Sequence, residues 1–352
     1  MSMTPKDIIV SSANFGCKYL DDHSIMPAGH NGPYKDSESP VRNNAHWAMI
    51  FIKVFELTEN QKYLNSALKC INYLKDQISE ASPVFICRET AGKDRTNGLI
   101  GQAWAIEPFI AIQKFQKNIA LQDIAIHITK MHVFDDRKKL WKVCDGVGNP
   151  TKFDDTFNHQ LWFAAVSSFN GKYDKRIDEI IIQFMNGITK NLILRRNGRI
   201  GQALFISPLE SYIKPLVKTV VRRNETEYMK LKEVGYHAFN IYAFIMLREN
   251  YPDHKFWNSK EFKLILQYLN SKEYKSEIYN SKYGFSYNPP SYEVFASNLH
   301  FSDISTVDEK FITELWNHQI NTSWNFDEKI MSEGSFDRNT HMARVYECFL
   351  CC

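Results

Sequence analysis

Two kinds of apolar pattern alternate along this chain. Residues 60–78 place Leu64, Leu68, Ile71 and Leu74 at helical spacing, with Lys62, Lys69 and Lys75 elsewhere, which predicts a helix with one apolar face. Residues 176–193 repeat the pattern with Ile177, Ile181, Phe184 and Ile188, and residues 260–270 with Phe262, Leu264, Ile265 and Leu269. Between them lie segments that are apolar on nearly every side: 43–57, 98–114, 157–168, 236–248 and 341–350, with a shorter one from Tyr292 to His300. A helix that is hydrophobic all round must be covered on every side, whereas a one-sided helix covers something and faces water. An inner ring of the first kind wrapped by an outer ring of the second satisfies both.

Taken in chain order, the elements pair into about six outer–inner hairpins. They are 5–20 with 43–57, 60–78 with 98–114, 118–133 with 157–168, 174–193 with 236–248, 258–270 with 292–300, and 306–320 with 339–350. Strand-like alternation is sparse and confined to small loop pieces such as Val84-Phe85-Ile86-Cys87. The expected fold is all-α, an (α/α)6 toroid spanning 1–352 as one domain with a basic insertion at about 194–235.

The inner helices begin with polar heads: Asn43-Asn44-Ala45-His46-Trp47, Thr96-Asn97-Gly98-Leu99, Phe157-Asn158-His159-Gln160, Tyr236-His237-Ala238 and Arg338-Asn339-Thr340-His341. Polar heads on several buried helices predict ends that converge on one pocket. The loops before them are long and rich in turn formers, as in Pro27-Ala28-Gly29-His30-Asn31-Gly32-Pro33-Tyr34 and Cys144-Asp145-Gly146-Val147-Gly148-Asn149-Pro150, and long connections usually carry function.

Composition narrows the classes. Hydrophobic residues make up 44% and aromatics 14% of 352 residues, with 7 Trp and 17 Tyr, which suits bulky cores and sugar-stacking clefts. A formal charge of +3 is too small for a dedicated nucleic-acid binder. The 7 cysteines are odd in number and scattered, and the Cys348-to-Cys351 spacing has no second pair beside it, so the expectation is reduced thiols and no metal site. The start lacks a charged region followed by an apolar one, and no segment approaches the ~18 apolar residues of a membrane span. The expected location is therefore cytoplasmic, and no feature assigns an oligomeric state. The segment 194–235 holds Arg195, Arg196, Arg199, Lys214, Lys218, Arg222, Arg223, Lys230 and Lys232 against Glu210, Glu225, Glu227 and Glu233. It reads either as a solvated face or as a lid that attracts an anionic substrate or makes peripheral contact with a lipid surface.

The helix-pair arrangement resembles the six-hairpin glycosidase and (α/α) toroid group. That group includes unsaturated glucuronyl hydrolases, N-acylglucosamine 2-epimerases and the toroid domains of polysaccharide lyases. Met26-Pro27-Ala28-Gly29-His30-Asn31-Gly32-Pro33, Arg42-Asn43-Asn44-Ala45-His46-Trp47 and Asn97-Gly98-Leu99-Ile100-Gly101-Gln102-Ala103-Trp104 are similar to proteins encoded in surface-polysaccharide and archaeal N-glycan assembly clusters. The resemblance implies a glycan role and leaves the chemistry open, because toroids host hydrolysis, elimination and epimerisation alike.

Each chemistry asks for different residues. Hydrolysis needs a carboxylic acid at the leaving oxygen and usually a second carboxylate. Asp94, Asp154, Asp155 and Asp337 stand near inner-helix heads, with Asp36 and Asp145 in the loops; Asp155 serves either as acid or as helix cap. Elimination needs a His or Tyr to take a proton beside a held carboxylate. Asn158-His159, with His237 and Tyr236 or Tyr242, fits that, and the Asn-His pair resembles those of toroid lyases. Epimerisation uses two bases, for which His159, His237 and His341 are candidates. Trp104 and Trp162 are pocket walls or core, Trp47 is core, and Arg42 and Arg95 either grip a carboxylate bidentately or pair with acids.

The leading expectation is a glycoside hydrolase acting on an acidic or amino-sugar oligosaccharide. Its catalytic residues are Asp94, Asp155, Asp337, His159 and His237, and its substrate-binding residues are Arg42, His46, Arg95, Asn97, Trp104, Asn158, Trp162, Tyr242 and His341. No cofactor is expected, since no phosphate-cradling Gly-rich loop stands on a strand–helix turn. A uronate lyase, a sugar epimerase and a non-catalytic glycan-binding component of an assembly system are the alternatives.

Overall fold

The computed structural model describes residues 3–204 and 226–348. Outer helices start on their own side-chain caps. For α1 (Pro5–His23) Thr4 and Asp7 form a reciprocal capping box. Asn60 caps α3 (Gln61–Asp76), Asn118 caps α5 (Ile119–Met131) and Asp174 caps α7 (Lys175–Asn191). The inner helices α2 (Val41–Thr58), α4 (Gly98–Ala111) and α6 (Phe157–Ser168) have no side-chain bond from their own cap residue. Their first amides depend on groups brought in by the fold.

The second half follows α8 (Glu227–Gly235) with inner helix α9 (His237–Asn250), then α10 (Lys260–Tyr268) and α11 (Lys272–Glu277). Inner helix α12 (Pro290–Phe301) and outer helix α13 (Glu309–Ser323) come next. The last inner element is a short helix, α14 (Arg338–Met342), that tightens into a 3-10 segment, Ala343–Cys348. The inner ring closes: α2 packs on α4, α4 on α6, α6 on α9, α9 on α12, α12 on Ala343–Cys348, and that segment on α2. The fold is the (α/α)6 toroid that the alternation of two-sided and one-sided helices implied.

Three small antiparallel sheets occupy outer-to-inner connections. They are β1 (Phe134–Asp135), β2 (Leu140–Cys144) and β3 (Pro150–Phe153) before α6, β4 (Leu192–Leu194) with β5 (Ile200–Leu204) before α8, and β6 (Trp324–Asn325) with β7 (Ile330–Met331) before α14. Val84–Cys87 is not one of them. Its Phe85 amide and carbonyl bond to the Gln102 side chain instead of a neighbouring strand.

Where it is described, part of the basic insertion forms specific pairs. Arg195 and Arg199 are buried against Glu233, with Arg195 Nε 2.9 Å and Arg199 Nε 3.1 Å from its carboxylate. Lys230 meets Glu277 at 3.0 Å. The expected lid or lipid-facing surface rests on Lys214, Lys218, Arg222 and Arg223, which lie outside the described residues, as do Glu210, Glu225, Cys351 and Cys352. Among the described residues no helix is long and apolar enough to cross a membrane. Cys17, Cys70, Cys87 and Cys144 are unpaired.

Candidate active site

Several polar heads turn out to hold loops in place. Gln102 on α4 accepts from the Phe85 amide at 2.8 Å and donates to the Phe85 and Thr96 carbonyls. Gln160 on α6 does the same for Trp141, accepting from its amide at 2.9 Å and donating to its carbonyl and to that of Asp154. Asn44 on α2 clips Met26 and the Pro40 carbonyl. All three are wholly buried. A buried amide that satisfies an otherwise strandless backbone fixes the loop against the helix that follows it. The loops so fixed form the walls of a cleft over the inner-helix heads.

That cleft opens to solvent and has a cavity volume of about 180 Å³. The α4 head contributes Asn97, Ile100 and Trp104, and the α6 head Thr156, Asn158 and His159. Tyr236 and Phe239 come from the start of α9, β5 supplies Gln202, and the connections supply Asn31, Tyr34, Arg88 and Tyr287. Lys232 on α8, Asn288 before α12 and Arg344 in the last inner segment complete it. No Asp or Glu is among these described lining residues.

At the α6 head stands a histidine–carboxylate pair. His159 Nδ1 lies 2.9 Å from Asp154 Oδ2, and the same carboxylate accepts from the Leu99 amide at 3.0 Å and the Thr156 amide at 3.1 Å. Asp154 thus binds an amide in the first turn of α4 and the amide of Thr156, the residue that leads into α6. Burial pulls its carboxyl upward, but the His159 ring and the two amides outweigh that and hold it below the ordinary carboxylate value. The Asp154 carboxylate orients the ring through Nδ1 and leaves Nε2 pointing away from it. The ring is 22% exposed, and Nε2 makes no hydrogen bond to a described residue. Gly98 makes the seat possible: its φ is +61°, and a Cβ there would lie 2.3 Å from Asp154 Oδ2.

Beneath the cleft lies an aromatic floor. Trp162 stacks on Phe239 with centroids 4.7 Å apart and on Tyr242 at 5.7 Å, and Trp104 meets Trp162 edge-on at 6.4 Å. The Arg42 guanidinium lies 4.2 Å from the Trp104 ring centre, and its Nη1 is 3.2 Å from Glu38 and 3.1 Å from Asn31. His46 stacks on Tyr346 and accepts from Arg42 Nε at 3.3 Å. Burial, and then the charges of Arg42 and Arg344, push its pKa well below the ordinary histidine value.

The structure therefore brings together Asn97, Trp104, Asn158 and His159 of the expected site and places the others elsewhere. Asp94 is exposed and caps the turn into α4, accepting from the Thr96 amide at 3.0 Å and the Gly98 amide at 2.7 Å. Asp155 is exposed, and among the described residues only its backbone carbonyl is engaged, by the Leu204 amide. Asp337 caps α14 and accepts from the His30 amide at 2.8 Å. His237 is wholly buried: its Nδ1 accepts from the Ile200 amide at 3.4 Å and its Nε2 donates to the Ile265 carbonyl at 2.9 Å, so it clips β5 to α10. Arg95 is exposed beside Asp145 and Val147 in a separate shallow depression. Arg42, His46, Trp162 and Tyr242 sit one layer below the lining, and His341 is buried with its pKa lowered to about 3, chiefly by burial.

Sequence reasoning missed Arg88, Gln202, Tyr287 and Arg344 as lining residues, read Lys232 only as part of the basic segment, and chose Asp94, Asp155 and Asp337 as carboxylates, whereas the carboxylate bonded to His159 is that of Asp154. The available signal was Asp154 standing two residues before the α6 cap Thr156, the spacing at which an Asp side chain bonds a backbone amide. The loop cations carry no periodic signal. Among the described residues no group of three or more His, Cys, Asp or Glu is placed to hold a metal ion.

Comparisons with known proteins follow the fold. No family model matches the chain. A D-mannose isomerase is similar in structure, with a TM-score of 0.66 at 13% identity over 99% of this chain and 98% of that one. A cellobiose 2-epimerase from Bacillus thermoamylovorans gives 0.62 at 11% identity over 96% and 95% of the two chains. An unsaturated glucuronyl hydrolase specific for heparin gives 0.60 at 9% over 98% and 96%. At such identities the likeness establishes the fold alone. In sequence, archaeal glycosylation protein Q of Haloferax volcanii is 34% identical over 360 residues, covering 97% of this chain and 95% of that protein. The chain belongs to the family of archaeal glycosylation protein Q.

Proposed function

We propose that this protein is a carbohydrate-active enzyme that moves a proton at a sugar carbon next to a carbonyl group, as an epimerase or isomerase, with His159 as the base. The observation that carries this reading is the Asp154–His159 pair, 2.9 Å apart, in a cleft whose described lining residues include no carboxylate. His159 Nε2 takes the proton, and the C–H electron pair becomes a carbon–carbon double bond as the carbonyl oxygen gains the charge. Trp104, Asn97 and Asn158 offer side-chain N–H donors to that oxygen. A solvent proton delivered to the opposite face, with His159 giving its own proton to solvent, yields the epimer, whereas return of the His159 proton to the former carbonyl carbon yields the isomer. Asp154 acts as a positioning residue through His159.

The hydrolase expectation loses support on the same ground. A glycosidase would present a carboxylic acid and a second carboxylate across the cleft, whereas Asp94 and Asp337 are occupied with backbone amides and Asp155 faces outward. Membership in a glycosylation protein's family favours a sugar substrate, and the similar folds of an isomerase and an epimerase agree with the chemistry without selecting it.

The test is incubation of the full chain in D2O with a panel of aldoses, ketoses and uronates, read by proton NMR. The expected result is loss of one C–H signal next to the carbonyl, with no new reducing ends. New reducing ends without exchange would overturn the reading in favour of hydrolysis. Absorbance from a 4,5-unsaturated uronate would overturn it in favour of elimination, and neither change would leave a binding protein.

A further inference from the structure

We infer that Arg88 and Lys232 form an anion subsite in the cleft, and that the sugar it takes is a uronate seated by its carboxylate. The inference rests on the proposed reading for its chemistry, though its test is one of binding. Both residues line the cleft, and neither has an ion-pair partner among the described residues. The neighbouring cations are ion-paired: Arg42 with Glu38 at 3.2 Å, and Arg344 with Glu347 at 2.6 Å with Glu293 beside it. Lys232 is half-buried against two rings, its ammonium 5.3 Å from the centre of Tyr34 and 5.8 Å from that of Tyr283. An ammonium so placed gains from an incoming anion.

The hydrogen-bonding inventory points the same way. Among the described residues, Arg88 Nε, Trp104 Nε1 and Gln202 Nε2 are buried donors without partners, against one such acceptor on a lining side chain, Asn158 Oδ1. The ligand that completes them is rich in acceptor oxygens. Two cations without ion-pair partners among the described lining residues accept an oxyanion, and a carboxylate, unlike a phosphate ester, also acidifies the C–H bond of the carbon that bears it, which is the bond a base at His159 would act on.

The chemistry follows from that seat. The carbon bearing a uronate's carboxylate is next to a carbonyl-type centre, so its hydrogen is one that His159 Nε2 could take. The C–H electron pair would then form a double bond to the carboxylate carbon, placing a second negative charge on oxygens held by Arg88 and Lys232. Water entering the open cleft delivers a proton to the other face of the same carbon, the electron pair returns to that C–H bond, His159 passes the first proton to solvent, and the product is the epimeric uronate.

Binding is measured by quenching of intrinsic tryptophan fluorescence. The probes are D-glucuronate, D-galacturonate and D-mannuronate, each against its neutral hexose, together with glucose 1-phosphate. At least one uronate is expected to bind about tenfold tighter than its matched hexose. Arg88→Gln and Lys232→Gln should each remove about tenfold of that while leaving the neutral hexose unchanged, and Arg88→Lys should restore part of it. Equal binding of uronates and hexoses, or equal losses for both in the variants, would overturn the inference. Tighter binding of glucose 1-phosphate would overturn the choice of carboxylate. Tight uronate binding without deuterium exchange would leave the subsite standing and overturn the proton-transfer reading.

Discussion

Gly98→Ala drives a methyl group into the seat of the proposed base. The backbone there has φ +61°, and the new Cβ would lie 2.3 Å from Asp154 Oδ2 and 2.8 Å from His159 Nδ1. A side chain in the left-handed region costs roughly 1–2 kcal/mol. The contact with Oδ2 is about 1 Å or more inside ordinary van der Waals separation, so the carboxylate must move by about that much. Moving it weakens its charge-assisted hydrogen bonds to His159 and Leu99, each worth about 1.5–3 kcal/mol. The expected total is a loss of about 3–5 kcal/mol of stability. A 1 Å misplacement of a catalytic group also costs about 100-fold in rate. Gly92→Ala supplies the control, since Gly92 has φ +75° and a Cβ added there would meet nothing within 4 Å. It should lose only the roughly 1–2 kcal/mol of backbone strain and keep full activity. The assay is urea unfolding followed by tryptophan fluorescence, with deuterium exchange measured on the folded protein. Equal losses in the two variants, or an active Gly98→Ala protein, would refute the reasoning.

Two further outcomes follow from buried groups outside the cleft. His237→Phe removes both clips of the ring and should cost about 2–3 kcal/mol at neutral pH without slowing exchange per folded molecule. Burial, opposed by the Ile265 carbonyl, pulls the His237 pKa down to about 3, whereas the unfolded chain takes up that proton near its ordinary ~6.5. The contribution is therefore full above the unfolded value and lost as pH falls from ~6.5 toward 3, a slope that His237→Phe should flatten in an unfolding series. Glu107 runs the other way: burial, and then the charge of Glu347, raise its pKa to about 8. Between its unfolded value near ~4.3 and pH 8 the folded state holds a proton that the unfolded state has released, so stability falls as pH rises through that window. Glu107→Gln should remove this loss and be more stable than the native protein at pH 9; equal stability there would contradict the account.

The ring was legible because it depends on periodicity. Helices such as 98–111, apolar all round, and 61–76, apolar on one face, have no other consistent packing. The site was legible only in part, because pocket lining and loop clamping select the same residue types. Asn158 and His159 face the cleft while Gln160, next in the chain, clips Trp141. His159 and His237 both head inner helices, and only three-dimensional packing turns one toward solvent and buries the other against Ile265. Asp154 and Asp155 differ by one position, which on the approach to a helix decides between the interior and the surface. Arg88 and Lys232 reach the cleft from a loop and from α8, separated by more than a hundred residues, and nothing local marks them as neighbours. The small sheets escaped because strands of two to five residues leave too short an alternation to read.

The central claim is that His159, held by Asp154, takes a proton from the bound sugar. Deuterium wash-in from D2O tests it most directly, comparing the native chain with His159→Gln, Asp154→Asn and Asp155→Asn on the substrate found in the panel. Exchange should vanish in His159→Gln, fall by about 100-fold or more in Asp154→Asn, where the ring loses its fixed tautomer, and stay at the native rate in Asp155→Asn. Native-rate exchange in His159→Gln, or its loss in Asp155→Asn alone, would contradict the account.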